Sequence, residues 1–334
     1  MDKEHPFICP ETLRPFTLEV EKEEQNQVVE GRLISENKVI YPIHNGVPDL
    51  VFPRVLPEED QSAKNWYDDN ADVYDDFLPL TFDTFSVDEL AIRREMVSQL
   101  DLKPDYKVLE TGCGTGRDSV LIAEHLGENG ELHLQDISYK ILEKSFDKMK
   151  EYKTHITFSL SNACYLPFPD NYFDVYYHFG GFNTFSEKKR AFSEISRVTK
   201  IGGKVIVGDE SMPSWLRSTD FGKILMNSNP HYKYELPLEY MHVSARDVSL
   251  HWIIGGVFYY LSYTIGEGEP DANLDFEIPG PRGGTHRTRY FGHIEGVSEE
   301  VIDLARKARE KTGKSMYRWL DDAIKKAAKD DLGI

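Results

Sequence analysis

The 334 residues carry 40% apolar side chains and a formal charge of −18, enough apolar material for one large core or two ordinary ones. That charge argues against a polyanion-binding surface, because phosphate backbones are held mainly by Lys and Arg. No run reaches the roughly 18 apolar residues of a membrane helix, the opening "MDKEHPFICPETLRPF" lacks the pattern of a secretion signal, and Cys9, Cys113 and Cys164 form no C-x-x-C pair, so a cytoplasmic protein without membrane span, disulfide framework or metal site is expected.

Residues 1–55 read as a small β-rich module, with "GRLISENKVIYPIHNGVPDLV" giving two alternating runs and a turn at Asn45-Gly46. So small a unit, without metal or disulfide, is expected to lean on a larger neighbour. Residues 56–98 form a linker and helical segment, in which Leu90, Met96, Val97 and Leu100 have the spacing of an amphipathic helix. From residue 99 to 266, strand-like and helix-like stretches alternate: "KVLET", "SVLIAEHLG", "ELHLQDI", "YKILEKSFDKMKEY", "ITFSL", "FDVYYHFG", "KKRAFSEISRVTK", "GKVIVGDE". Such alternation specifies a parallel sheet wrapped by helices. The next two apolar runs, "SLHWII" and "VFYYLSYTI", are separated only by Gly255-Gly256 and predict a hairpin. An Arg- and Gly-rich loop spans 267–292, and 293–334 predicts two helices, the first begun by Ser298 and ended by Gly313, the second begun by Ser315. From Arg282 to Ile334 there are 12 Lys and Arg against 9 Asp and Glu, a net of +3, which leaves −21 on the rest.

The glycines of "VLETGCGTGRDS", Gly112, Gly114 and Gly116, follow a strand and precede a helix, where backbone amides and a helix N-terminus face a ligand in an open parallel sheet. The spacing is neither the dinucleotide fingerprint nor the Walker loop. Twenty residues past Gly116, Asp136 ends the run "LHLQD", placed to accept bonds from two ribose hydroxyls. The pair suits an adenosyl group without phosphates.

Residues 66–265 resemble the class I S-adenosylmethionine-dependent methyltransferases, of the type 11 or ubiquinone/menaquinone methyltransferase-like kind. The stretches "VLETGCGTG", "LQDIS", "NACYLPFPDNYFDVYYHF" and "AFSEISRVTKIGGKVIVGDE" match four family motifs in order. The resemblance implies a Rossmann-like α/β fold, a seven-stranded sheet whose last strand is antiparallel, and S-adenosylmethionine as cofactor. It implies that Glu110, Gly112, Cys113 and Gly114 line the methionine portion, with Gly116 completing the loop. Asp136 then holds the ribose, Ile137 packs on adenine, and Asn162 and Ala163 reach the adenine edge, the Asn162 carbonyl accepting from the exocyclic amine. Tyr67 and Tyr74 fall where relatives carry a lid, although aromatics ahead of a domain also serve as plain core. His178, ending "VYYHF", falls at the cofactor's reactive edge as a candidate general base and cofactor contact; a hydrogen-bonded structural histidine is the alternative.

"EIPGPRGGTHRTRYFG" offers Arg282, His286 and Arg287 as a clamp for an anionic substrate group, or as a surface connector. The aromatic stretches "HYKYELPLEY" and "VFYYLSY" are expected to wall the substrate pocket. The opening "FICP" and "YPIHNGVPDLV" resemble a zinc-ribbon-type module found at the front of many methyltransferases, here without its metal cysteines. The strand-like "THRTRYFGHI" and the two helices after it resemble a ribbon-helix-helix unit, which implies a homodimer or higher oligomer; the −21 body argues against DNA as its partner. The expected activity is methyl transfer to a small-molecule substrate, with an RNA or protein methyltransferase and a cofactor-sensing DNA-binding regulator as alternatives.

Overall fold

Paired left-handed residues close two hairpins near the start of the chain. Gln25 and Asn26 (φ 50° and 65°) join β1 (Thr17–Glu24) to β2 (Gln27–Ile34), and Asn45 and Gly46 (φ 50° and 77°) join β3 (Ile40–His44) to β4 (Val47–Pro48), a turn geometry whose twist matches antiparallel strands. The structure is a computed structural model that describes residues 1–279, 281, 283–291 and 297–334. The four strands form an antiparallel sheet in chain order. Its inner face, Val28, Leu33, Tyr41 and Ile43, packs into one cluster with Cys164, Leu166 and Phe168. Backbone bonds from Leu50 N to Leu160 O and from Ile8 N to Pro167 O sew it to the larger sheet.

Three helices follow, α1 (Glu58–Asn70), α2 (Tyr74–Thr84) and α3 (Glu89–Ser98). Met96 and Val97 of α3 are buried, as is Leu100 beyond it, whereas Leu90 stays 46% exposed. The chain then alternates through β5 (Lys107–Thr111), α4 (Arg117–Ala123), β6 (Glu131–Asp136), α5 (Tyr139–Met149), β7 (His155–Leu160), β8 (Phe173–Phe179), α6 (Lys188–Val198) and β9 (Thr199–Glu210). After α7 (Asp220–Ser228), β10 (Ala245–Ile253) and β11 (Phe258–Ile265) form the expected hairpin. The sheet order is β10-β11-β9-β8-β5-β6-β7, parallel from β9 to β7, with β11 antiparallel to both its neighbours. This is the Rossmann-like seven-stranded methyltransferase sheet.

Successive strand residues point to opposite faces. Val108, Val175, Tyr177 and Ile206 pack with Met96, Leu121, Ile122 and Leu142 on one side. Leu109, Tyr176, Val205 and Val207 pack with Phe192, Ile195 and Val198 of α6 on the other. The stretch "VFYYLSY" corrects its expected role as pocket wall: Tyr259, Tyr260 and Leu261 are almost wholly buried within β11, because a strand paired on both edges and covered on both faces offers no surface to a substrate.

Met1–Pro270 form one compact unit, and Asp271–Ile334 another. The second holds α8 (His286–Phe291), α9 (Glu299–Thr312) and α10 (Met316–Leu332). Gly313 (φ 65°) ends α9 in the left-handed region and Ser315 Oγ accepts from Arg318 N, 3.4 Å, at the start of α10, as the sequence predicts. The strand expected at "THRTRYFGHI" is corrected over its first part: His286–Phe291 is helical, begun by Thr285, whose Oγ1 accepts from Thr288 N at 3.1 Å. His293 and Ile294 lie outside the described residues.

Candidate functional site

The chain turns opposite ways from β5: β6 and β7 add on one side, β8 and β9 on the other. Ligands bind at such a switch point, beyond the carboxyl ends of the strands. A crevice lies there, lined from four strand ends by Gly112 and Gly114, by Gln135 to Ile137, by Ser161 to Ala163, and by His178 to Gly181.

The three loop glycines do different work. At Gly112 (φ 61°) a Cβ would sit 3.0 Å from His178 Cε1, and at Gly114 (φ 54°) it would meet nothing within 4 Å. Gly116 (φ 80°) is the N-cap of α4, and a Cβ there would lie 2.9 Å from Ser145 Cβ of α5, so this glycine serves helix packing. Gly116, Cys113 and Glu110 are not among the residues lining the crevice. Glu110 is buried beside Asp118, and burial together with that carboxylate holds its pKa well above the usual range. Asp118 is paired instead with Arg93 of α3, 2.6 Å away.

Asp136 faces the crevice with both oxygens engaged, accepting from Gly114 N and from Ser138 N, each at 3.0 Å. Burial pushes its pKa up to about 6 against the pull of those amides. Ile137 and Ala163 line the crevice beside it. Asn162 also lines it, but its side chain is engaged elsewhere: Oδ1 accepts from Cys164 N at 2.9 Å, and Nδ2 donates to Asp60 Oδ2 at 3.0 Å. One of the two lone pairs of the expected Asn162 acceptor is thus taken by the protein's own backbone.

His178 is 1% exposed. Its Nδ1 lies 2.8 Å from Thr111 O; a carbonyl only accepts, so Nδ1 carries the proton and Nε2 the lone pair. Nε2 has no hydrogen-bond partner among the described residues. Burial lowers the ring's pKa to about 4, which leaves it neutral near pH 7.

Tyr67 of α1 and Tyr74 of α2 line the crevice, their rings 5.9 Å apart. Three aspartates fix these helices to the loops below. Asp60 accepts from Ser186 N and Oγ as well as from Asn162. Asp68 accepts from Ser138 Oγ at 2.5 Å. Asp75 accepts from Thr115 Oγ1 at 2.7 Å, from Arg117 Nε at 3.0 Å and from Lys148 Nζ at 3.3 Å. The sequence singles out none of the three: Asp68 and Asp75 stand in the acidic run "NWYDDNADVYDDF" and Asp60 just ahead of it, and which carboxylates turn inward depends on tertiary contacts. Phe82 and Phe85 extend the cover into an apolar cluster with Tyr232, Ile254 and Val257, against which Phe179 of the crevice packs.

Of the proposed substrate clamp, Arg282 lies outside the described residues. His286 and Arg287 begin α8 in the second unit, where Arg287 Nε donates to Asp275 Oδ1 at 3.2 Å.

The donor set fits an adenosyl cofactor. No Lys or Arg is among the described residues lining the crevice, as suits a ligand without phosphates, and three buried polar atoms along it, Gln135 Oε1, Ser161 Oγ and His178 Nε2, have no partner among the described residues.

A family profile described as a methyltransferase domain matches residues 102–263. The demethylmenaquinone methyltransferase of Anoxybacillus flavithermus is 30% identical over 158 residues, which cover 43% of this chain and 67% of that protein. The ubiquinone/menaquinone biosynthesis C-methyltransferase of Cupriavidus pinatubonensis is 34% identical over 111 residues, 33% of this chain and 46% of that protein. The chain thus spans about half the length of several of the curated relatives it matches. The solved structure of Haemonchus contortus phosphoethanolamine N-methyltransferase 2 in complex with S-adenosyl-L-methionine shares the fold, with a TM-score of 0.50 at 14% identity over 68% of this chain and 64% of that one. With four motifs on four strand ends of a seven-stranded sheet, a crevice fit for an adenosyl group and these relatives, the chain belongs to the class I S-adenosylmethionine-dependent methyltransferases.

Proposed function

We propose that the protein transfers the methyl group of S-adenosylmethionine to a small-molecule nucleophile. The observation that carries this reading is the covered crevice: α1 and α2, latched through Asp60, Asp68 and Asp75, leave Tyr67 and Tyr74 over it, a geometry suited to a small acceptor rather than to a folded macromolecule. The cofactor supplies a methyl group on a sulfonium, already activated for transfer. The chain's part is then to align a nucleophile and keep water out.

In this reading Asp136 orients the ribose, the backbone at Gly112 and Gly114 approaches the methionine portion, and Ile137 and Ala163 flank adenine. Tyr67 and Tyr74 exclude water. His178 Nε2 accepts a hydrogen bond from the nucleophile and takes its proton where the acceptor must lose one. Phe179, Phe82 and Phe85 contribute apolar wall at the same end. Glu110 and Cys113 do not line the crevice and instead support the loop. The helical pair, whose Val301, Leu304 and Ile324 stay exposed, serves assembly of copies.

Incubating the full chain with methyl-labelled S-adenosylmethionine and a cell lysate tests the reading. Label is expected in the small-molecule fraction; label confined to protein or RNA would favour the macromolecular alternative and contradict this one.

A further inference from the structure

The adenine-facing loop raises a question that Asn162 does not answer. Its amide nitrogen is bonded to Asp60 and its carbonyl to Cys164 N. Asp60 is likewise engaged, by Ser186 N at 2.9 Å, Ser186 Oγ at 2.8 Å and Asn162. Thr184, another lining residue, donates from Oγ1 to Gly181 O at 2.7 Å. The set Asn162, Asp60 and Ser186 is a tie between α1 and the loops, and it fixes the Asn162 side chain at both ends.

Two unspent groups remain on the β6 and β7 side of the crevice. Gln135 is 2% exposed and Ser161 is fully buried, and neither Gln135 Oε1 nor Ser161 Oγ has a partner among the described residues. The Gln135 amide cannot turn over freely, because its Nε2 donates to Ser161 O and a flip would set two acceptor oxygens against each other. Oε1 is therefore held as an acceptor. The third unspent group, His178 Nε2, belongs to β8, across β5 from Gln135 in the sheet order.

The adenosyl group brings two kinds of donor, the ribose hydroxyls and the exocyclic amine of the base. The Asp136 carboxylate suits the hydroxyls. A neutral, buried, orientation-locked amide oxygen suits an amine. We propose that Gln135 Oε1, together with the unpaired Ser161 Oγ of the same crevice wall, recognises the exocyclic amine of the cofactor's base, and that Asn162 is a positioning residue that holds the loop to α1. Gln135 is then the residue that makes the crevice selective for an amino purine. This rests on the S-adenosylmethionine reading above.

The test compares S-adenosylhomocysteine with S-inosylhomocysteine, in which a carbonyl replaces the amine, by calorimetric titration of the full-length protein. Facing that carbonyl with the Gln135 oxygen leaves buried acceptors unpaired, so the inosyl compound is expected to bind about 100-fold more weakly. In Gln135→Met, of similar length and without the amide, adenosyl binding is expected to fall about 10-fold and the preference to collapse to within about 3-fold. Ser161→Ala, a smaller change, is expected to reduce the preference in part, and it decides the matter should Gln135→Met not fold. Equal binding of both compounds by the natural protein, or an unchanged preference in the variants, overturns the assignment while leaving the cofactor reading intact. Binding of neither compound by the natural protein overturns both.

Discussion

Asp136→Ala is expected to weaken S-adenosylhomocysteine binding by about 100-fold or more in a calorimetric titration, since each hydrogen bond from a ribose hydroxyl to a buried carboxylate contributes about 1.5–3 kcal/mol. The same carboxylate makes the ligand-free protein pH-sensitive. Its folded pKa of about 6 lies above the ordinary 3.8, so the stability it contributes is full below that ordinary value and is lost as pH rises through 6. Near pH 7.5 the substitution therefore removes a buried, incompletely compensated charge, but it also strands Gly114 N and Ser138 N. These opposed effects are each about 1–3 kcal/mol, and the unliganded melting midpoint is expected to stay nearly in place. A variant that retains affinity within about 3-fold would remove Asp136 from the ribose role.

The glycine loop yields the second large effect, as a contrast between neighbours. Gly116→Val places a β-branched residue at φ 80° with its Cβ 2.9 Å from Ser145 Cβ. Left-handed strain and overpacking together cost about 3–5 kcal/mol, which corresponds to a melting midpoint lower by about 10 °C for a unit of this size. Gly114→Ala meets no neighbour within 4 Å and costs only about 1 kcal/mol through its φ. Its methyl group faces the crevice, so there the loss is expected in cofactor affinity, by about 10-fold, since misplacing one good hydrogen bond costs about 1.4 kcal/mol. If Gly116→Val melts within about 2 °C of the natural protein, its packing role is wrong.

How far the sequence carried the fold and the site follows from which physical signals are local. Strand ends are local: "KVLET" and "LHLQD" place Gly112 and Asp136 at the edges where β5 and β6 stop. The hairpin of β10 and β11 was legible in Gly255-Gly256, both left-handed. Sheet pairing is less so, and "VFYYLSY" was read as pocket wall because aromatic content does not distinguish a central strand from a pocket lining. The same limit hid Asp60, Asp68 and Asp75: Asp68 also pairs with Lys64 within α1, but the partners in the loops below lie 70 or more residues away, or 40 or more where Asp75 meets Thr115 and Arg117. Gln135 gives no signal of its own, as it lies between four strand residues and Asp136 at the end of β6. His286–Phe291 was read as strand from its β-branched and aromatic residues, whereas the Thr285 cap begins a helix there.

Thermal unfolding of the full chain with S-adenosylmethionine, S-adenosylhomocysteine, NAD and ATP in turn tests the central claim most directly, because only ligands of the native state raise the midpoint. The phosphate-free adenosyl crevice predicts a rise with the first two compounds alone. A rise with NAD or ATP, or none with S-adenosylhomocysteine at saturating concentration, would contradict it.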